Sequence, residues 1–161
     1  MPTRLTVPPR PEELEVSILG PGYGESIAVH IGDGRWVLVD SCVEPTSRGP
    51  GSVQYLRQMG LDVSQCVEMV VASHWHDDHV RGIAATLRDC TNAKFAMSGA
   101  LLRGDFVKLV ERYGNPMMQE SSGLDEFAQV FDILQARKQA GSFMNSPKLA
   151  IMDRTLLQLS I

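Results

Sequence analysis

The alternation of apolar and polar positions predicts strands through the N-terminal part of the chain. Leu14, Val16 and Ile18 alternate with polar neighbours, which is the period of a strand that buries one face. The sequence Gly32-Asp33-Gly34 is typical of a tight hairpin turn, and the apolar run Trp36-Val37-Leu38-Val39 predicts a strand buried on both faces. Strands are predicted over 13–18, 26–31, 35–39, 67–72 and 94–97.

A helical period is found between these strands. Residues 52–59 are predicted to form a helix that ends at Gly60, because glycine is the preferred residue just after a helix. Apolar residues at positions i, i+3, i+4 and i+7 predict one amphipathic helix after the fourth strand. These residues are Val80, Ile83, Ala84 and Leu87. Strands interleaved with helices indicate a protein of the α/β (α+β) class.

The pattern changes beyond residue 98. Apolar stripes predict two helices, over 102–113 and 124–134, and renewed alternation over 148–152 and 155–161 predicts a terminal strand pair. The expected organisation is a Pro-rich extended arm over 1–12 and a single domain over 13–161, in which residues 100–147 form a helical insertion.

Composition narrows the class of protein. A chain of 161 residues is about one domain long, and its net charge of -4 gives no clear footprint for nucleic acid. No apolar stretch reaches the roughly 20 residues of a membrane span, and the N-terminus lacks the apolar segment of a signal peptide. Three cysteines without a C-x-x-C pair favour reduced thiols and a cytoplasmic location.

The strand over 67–72 leads into the hexapeptide His74-Trp75-His76-Asp77-Asp78-His79. Imidazole nitrogens and carboxylate oxygens are the ligands that zinc prefers, so this loop is predicted to bind metal. His74 and His76 can converge on one ion, while Asp78 and His79 can serve a second ion nearby. Two such ions can share and activate one water, for which Asp78 is the candidate orienter or proton acceptor.

The run from Val70 through His79, together with Asp40 at the end of a buried strand, resembles the metallo-β-lactamase fold superfamily. The resemblance covers about the N-terminal half of such a domain. It implies a truncated four-layer αββα sandwich and a zinc-dependent hydrolase that binds one or two ions. Manganese and iron are alternative metals for this site. It also implies that His74, His76, Asp78 and His79 are metal ligands, with Asp78 catalytic, and that Asp40 supports them by hydrogen bonding.

The implied reaction is the attack of metal-activated hydroxide on an ester, amide or phosphodiester of a small molecule. No histidine follows His79 in this sequence, whereas the family draws further ligands from downstream. We therefore expect a partial metal site, completed by a missing C-terminal half or by self-association. The alternative is a non-catalytic module, a truncated or pseudo-enzyme that keeps half of the site for interaction.

Several neighbouring residues have a plainer interpretation. For Asp40, an ordinary turn residue at the end of a strand is as good an interpretation as a residue that supports the metal site. His30 is predicted to be a hydrogen-bonded strand histidine and not a ligand. Asp77 is expected to cap the following helix. Trp75 is expected to pack against the protein, and Cys42 to be a buried, unreactive thiol.

Overall fold

A computed structural model of the chain describes residues 7–20, 24–43, 49–97, 110 and 123–139. Within these residues five strands form one sheet in sequential order, which confirms the mixed α/β class. The strands are β1 Glu15–Leu19, β2 Ser26–His30, β3 Trp36–Val39, β4 Val67–Ala72 and β5 Lys94–Met97. β1, β2 and β3 pair antiparallel, and β3, β4 and β5 pair parallel.

The described helices are α1 Gly51–Gln58, α2 Val63–Cys66, α3 Asp77–Val80, α4 Ile83–Asp89 and α5 Gly123–Gln139. Helix α5 contains the second helix predicted beyond residue 98. Of the other predicted helix, over 102–113, only Val110 is described, and it is helical and buried. The predicted strand pair over 148–152 and 155–161 lies outside the described residues.

The core lies between the helices and one face of the sheet. The sheet and the helices contribute fully buried apolar side chains to it: Trp36, Leu38, Val70, Phe95, Leu56, Ile83, Leu87 and Phe127. Burying each of these large side chains contributes about 1.5–3 kcal/mol. This layer therefore fixes the position of the sheet, and with it the ends of the strands.

The opposite face of the sheet is apolar but open to solvent within the described part of the chain. Val16 and Ile18 are 58% and 72% exposed. The residues next to them across the sheet are half-buried: Ile27, Val29, Val37, Val39, Met69 and Val71. β3 thus alternates between buried and half-buried positions, so the prediction of burial on both of its faces is wrong.

The predicted amphipathic helix after β4 is two helices. All four of its apolar positions are buried, but α3 ends at Val80 and α4 begins at Ile83. Gly82 between them has a φ of 86°, a left-handed conformation that glycine adopts without steric cost. An added Cβ at Gly82 would lie 3.0 Å from the Val43 side chain. The prediction of one helix is wrong because periodicity ignores this break.

The chain between α1 and β4 contains a turn of helix that periodicity does not predict. Gly60 has the expected left-handed conformation after α1, with a φ of 76°. The Asp62 side chain then accepts a hydrogen bond from the Ser64 N–H at 2.9 Å, which caps α2. Helix α2 has four residues and ends where β4 begins, so it is too short to show a helical period.

Helix α5 lies along α4 in the same direction and bonds to both of its ends. At the N-terminal end, the Glu126 carboxylate accepts from the Gly82 and Ala84 N–H groups at 2.9 and 3.1 Å. Burial raises the pKa of Glu126, while these two bonds oppose the rise. At the C-terminal end, the Arg137 guanidinium donates to three carbonyl oxygens, those of Leu87, Cys90 and Ala93. Glu126 and Arg137 therefore bond to backbone groups at the two ends of α4, where a helix leaves N–H and carbonyl groups without partners of its own.

None of Cys42, Cys66 and Cys90, all of which the structure describes, forms a disulfide. Cys42 is buried, as expected, and its sulfur lies 3.4 Å from the Ser26 hydroxyl. Burial raises the pKa of Cys90 to about 12, which disfavours the reactive thiolate. Among the helices described, none is both long and apolar enough to cross a membrane.

Replacing Glu126 by alanine is expected to lower the free energy of unfolding by roughly 2–4 kcal/mol, because two buried N–H groups lose their acceptor. The control is Gln129→Ala on the same helix, since the bond that Gln129 accepts from Arg88 is exposed. The control should change stability by no more than ~0.5 kcal/mol. Urea denaturation followed by circular dichroism measures both variants. Equal losses would show that Glu126 does not cap α4.

Candidate metal centre

The hexapeptide from His74 to His79, called the histidine loop below, lies at one edge of the sheet because β3 and β4 are parallel neighbours. Their carboxyl ends meet there, which is where open α/β sheets place their ligands. Asp40 follows β3, and its N–H donates to the Val71 carbonyl at 2.8 Å. The next N–H, of Ser41, donates to the His79 carbonyl at 2.7 Å. Backbone bonds therefore tie both ends of the loop to the end of β3.

The Asp40 carboxylate is the centre of the hydrogen bonding at this edge. One oxygen accepts from the Ser73 N–H at 2.7 Å. The other accepts from the Ser73 hydroxyl at 2.7 Å and lies 3.0 Å from Nδ1 of His79. Asp40 has a φ of 60°, a left-handed conformation that aspartate tolerates better than most residues. Its partners lie far along the chain, so these bonds are not those of a local turn.

The loop brings three potential ligand atoms together, one each from His74, His76 and Asp78. All three atoms lie within 4.8 Å of one another. A second group of the same compactness consists of Asp40, His74 and His79. The His79 ring is close to both groups, because its Nε2 lies 3.7 Å from Oδ2 of Asp78. Three of the four predicted ligands therefore form one group, and the fourth, His79, lies beside it in contact with Asp78.

Hydrogen bonding distinguishes the two groups. In the group with Asp40, both carboxylate oxygens already accept bonds from Ser73 or His79, and Asp40 is only 6% exposed. In the other group, His76 is exposed and the Asp78 side chain is 46% exposed. The group of His74, His76 and Asp78 is therefore the one with ligand atoms accessible to an ion from solvent.

Asp77 has a different role from the one predicted. It is the first residue of α3, and the N-cap position is His76, whose side chain makes no capping bond. The Asp77 carboxylate instead accepts from the Gly123 N–H at 2.5 Å, at the start of α5. An added Cβ at Gly123 would lie 2.0 Å from the Trp75 carbonyl oxygen. The prediction of a cap is therefore corrected to a tether between the loop and α5.

His30 is a hydrogen-bonded strand histidine, as predicted. Its Nε2 accepts from the Gly34 N–H at 3.1 Å, so its Nδ1 carries the proton and donates to the Glu13 carbonyl at 2.8 Å. It pairs with Trp36 at the start of β3, so it lies at the sheet edge opposite the histidine loop. Trp75 is 41% exposed, with its ring centroid 5.0 Å from that of His76.

Ser73 and Glu25 are the site residues that sequence reasoning missed. Ser73 bonds to Asp40, and its hydroxyl also lies 2.8 Å from Nδ1 of His74. Its position directly between a buried strand and the first histidine is the signal that could have identified it. The Glu25 carboxylate lies 4.0 Å from Nδ1 of His79. No local sequence pattern predicts this contact.

No family model and no curated protein matches this sequence. Matching solved structures are metallo-β-lactamases. A B3 enzyme with an active-site glutamic acid is 22% identical with a TM-score of 0.42, over 58% of this chain and 33% of its own. A metallo-β-lactamase bound to 2-mercaptoethanesulfonate is 24% identical with a TM-score of 0.39, over 50% of this chain and 29% of its own.

A third match is a subclass B3 metallo-β-lactamase isolated from a soil metagenome library, 22% identical with a TM-score of 0.39. It covers 58% of this chain and 37% of its own length. Each of these matches extends over about half of this chain. The chain spans about a third of the length of the solved structures it matches.

Replacing Gly123 by alanine is expected to lower the free energy of unfolding by roughly 1–3 kcal/mol, because the new methyl group collides with the backbone of the loop. The matched control is Gly20→Ala, whose added Cβ would meet its nearest atom at an ordinary 3.5 Å. Urea denaturation of both variants measures the difference. A Gly123→Ala variant as stable as the control would contradict the close contact between α5 and the loop.

Proposed function

We propose that this chain provides the metal-binding part of a metal-dependent hydrolase of the metallo-β-lactamase fold. The observation that supports the proposal is the set of ligand atoms on His74, His76 and Asp78, all within 4.8 Å of one another. Two imidazoles and one carboxylate are a donor set that catalytic zinc sites use, with a further position left to water or substrate. The residues present therefore fit zinc.

His79 provides the fourth donor of the proposed site. Its Nε2 lies 3.7 Å from Asp78, so it can complete one ion or, with Asp78, hold a second ion. One ion is the simpler assignment, because the three grouped residues supply three ligands to it. Manganese and iron are alternative metals, since imidazole and carboxylate ligands also suit them.

The proposed reaction is hydrolysis of an ester, amide or phosphodiester of a small molecule. When bound, the metal supplies a water acidic enough to attack near neutral pH. We propose that Asp78 would orient the attacking water and accept its proton, since its side chain is 46% exposed and its carboxylate lies beside the histidines. The absence of a disulfide among the three cysteines favours a reducing compartment, and we propose the cytoplasm.

A second candidate function is a non-catalytic interaction module. The observation in its favour is the outer face of the sheet, where Val16 and Ile18 are 58% and 72% exposed beside further half-buried apolar residues. An apolar surface of this kind favours association with another protein chain or with a second copy. In this function the histidine loop retains its shape without turning over a substrate.

Purified protein is expected to bind zinc, and His76→Ala is expected to weaken the affinity by at least about tenfold, through loss of one ligand. His76 is exposed, so the substitution should leave the fold intact. The control is Glu68→Ala, which removes an exposed acidic side chain from the far end of β4. Isothermal titration calorimetry with zinc measures the affinities. Absence of zinc binding by the unsubstituted protein would defeat the proposal.

Hydrolysis separates the two candidate functions. With zinc, the unsubstituted chain is expected to hydrolyse bis-p-nitrophenyl phosphate or a simple nitrophenyl ester. Asp78→Asn is expected to lower kcat by about 10²–10⁴-fold, because the proton acceptor is lost. Release of nitrophenol, with and without a chelator, measures the rate. A zinc-loaded chain with no rate above zinc in buffer would favour the interaction module.

A further inference from the structure

We infer that Ser73 is a positioning residue that fixes the proton of His74 on Nδ1, so that His74 offers its Nε2 to a metal ion. The inference rests on the proposed metal site and deepens it, because it names the atom through which one ligand binds. It follows from three short contacts and from the number of protons that can occupy them.

The Ser73 hydroxyl has one proton and two neighbours. It lies 2.7 Å from the Asp40 carboxylate and 2.8 Å from Nδ1 of His74. A carboxylate can only accept, so the hydroxyl proton is directed to Asp40. The hydroxyl oxygen must then accept from His74, and Nδ1 of His74 must carry a proton. In a neutral imidazole this leaves the lone pair on Nε2.

The orientation of the hydroxyl is itself fixed. The Ser73 N–H donates to the other oxygen of the same carboxylate at 2.7 Å, so Asp40 holds Ser73 by both its backbone and its side chain. Asp40 is 6% exposed, which limits the access of water to the carboxylate, although Ser73 itself is exposed. A hydroxyl held in this way has no second donor to offer His74, so the opposite proton arrangement is disfavoured.

His79 shows the same arrangement without an intermediary. Its Nδ1 lies 3.0 Å from the same Asp40 oxygen, and its Nε2 lies 3.7 Å from Asp78. Asp40 therefore fixes two histidines, one directly and one through Ser73. In both rings the Nε2 lone pair is then free to bind an ion, and loss of hydrogen-bond partners of this kind typically weakens metal affinity by 10–100-fold.

The experiment records imidazole ¹⁵N chemical shifts of the metal-free protein at a pH of about 8, above the ordinary histidine pKa of ~6.5. His74 is expected to have its proton on Nδ1 in the unsubstituted protein. In Ser73→Ala it should shift toward the Nε2–H form, and Ser73→Thr should restore the original signal. His30, whose proton is held on Nδ1 by Glu13 and Gly34, is the internal control and should not change.

Zinc affinity provides the second measurement. Ser73→Ala is expected to weaken zinc binding by about 10–100-fold, with recovery in Ser73→Thr. The matched control is Ser64→Ala, since the Ser64 hydroxyl also donates to a nearby carboxylate, that of Asp62 at 2.7 Å, but belongs to α2. The control should bind zinc like the unsubstituted protein.

Two results would overturn the inference: an Nε2–H form of His74 in the unsubstituted protein, or an unchanged His74 signal in Ser73→Ala. The first needs no variant, so a variant that fails to fold does not remove the test. If zinc does not bind but the tautomer shifts as expected, the proposed function fails and the role of Ser73 stands. If zinc binds and neither the His74 tautomer nor the zinc affinity responds to Ser73→Ala, the inferred role of Ser73 fails and the proposed function stands.

Discussion

The acceptance of three hydrogen bonds by one buried carboxylate is the constraint on which the histidine loop depends. Asp40 directly follows β3, and Ser73 and His79 belong to the segment that follows the parallel neighbour β4. The contact is possible because parallel strands end at the same edge of a sheet. Its cost is a left-handed φ of 60° at a residue other than glycine, the kind of local strain that persists where surrounding contacts determine it.

The loop is held from a second side by α5. The Gly123 N–H bonds to Asp77, and Glu126 bonds to the N-terminus of α4 just beyond the loop. The sheet therefore fixes the beginning of the loop through Asp40, and α5 fixes its end. A site held between two rigid elements keeps its ligand atoms in place better than a free loop, and this lowers the cost of ordering them when an ion binds.

The parts of this structure that could be predicted are those that depend on neighbours in sequence. Alternation located β1 and β2, glycine chemistry located the end of α1 at Gly60, and the hexapeptide located the cluster of ligand atoms. The break at Gly82 and the tether from Asp77 to Gly123 could not be predicted, because they arise from residues brought together by the fold. The role of Ser73 is of the same kind, since its partner Asp40 follows a different strand and is 33 residues away in sequence.

The two sides of the site differ in their exposure to water, so that only one side is accessible from solvent. The Asp40 side chain on the inner side is 9% exposed, whereas the Asp78 side chain on the outer side is 46% exposed. The buried Asp40 carboxylate is therefore shielded from water, and this strengthens the contact that holds the His79 ring in place. A substrate would have to approach from the outer side, where Asp78 and His76 face solvent. The proposed metal site would therefore be held from its buried side and be accessible to a ligand from its exposed side.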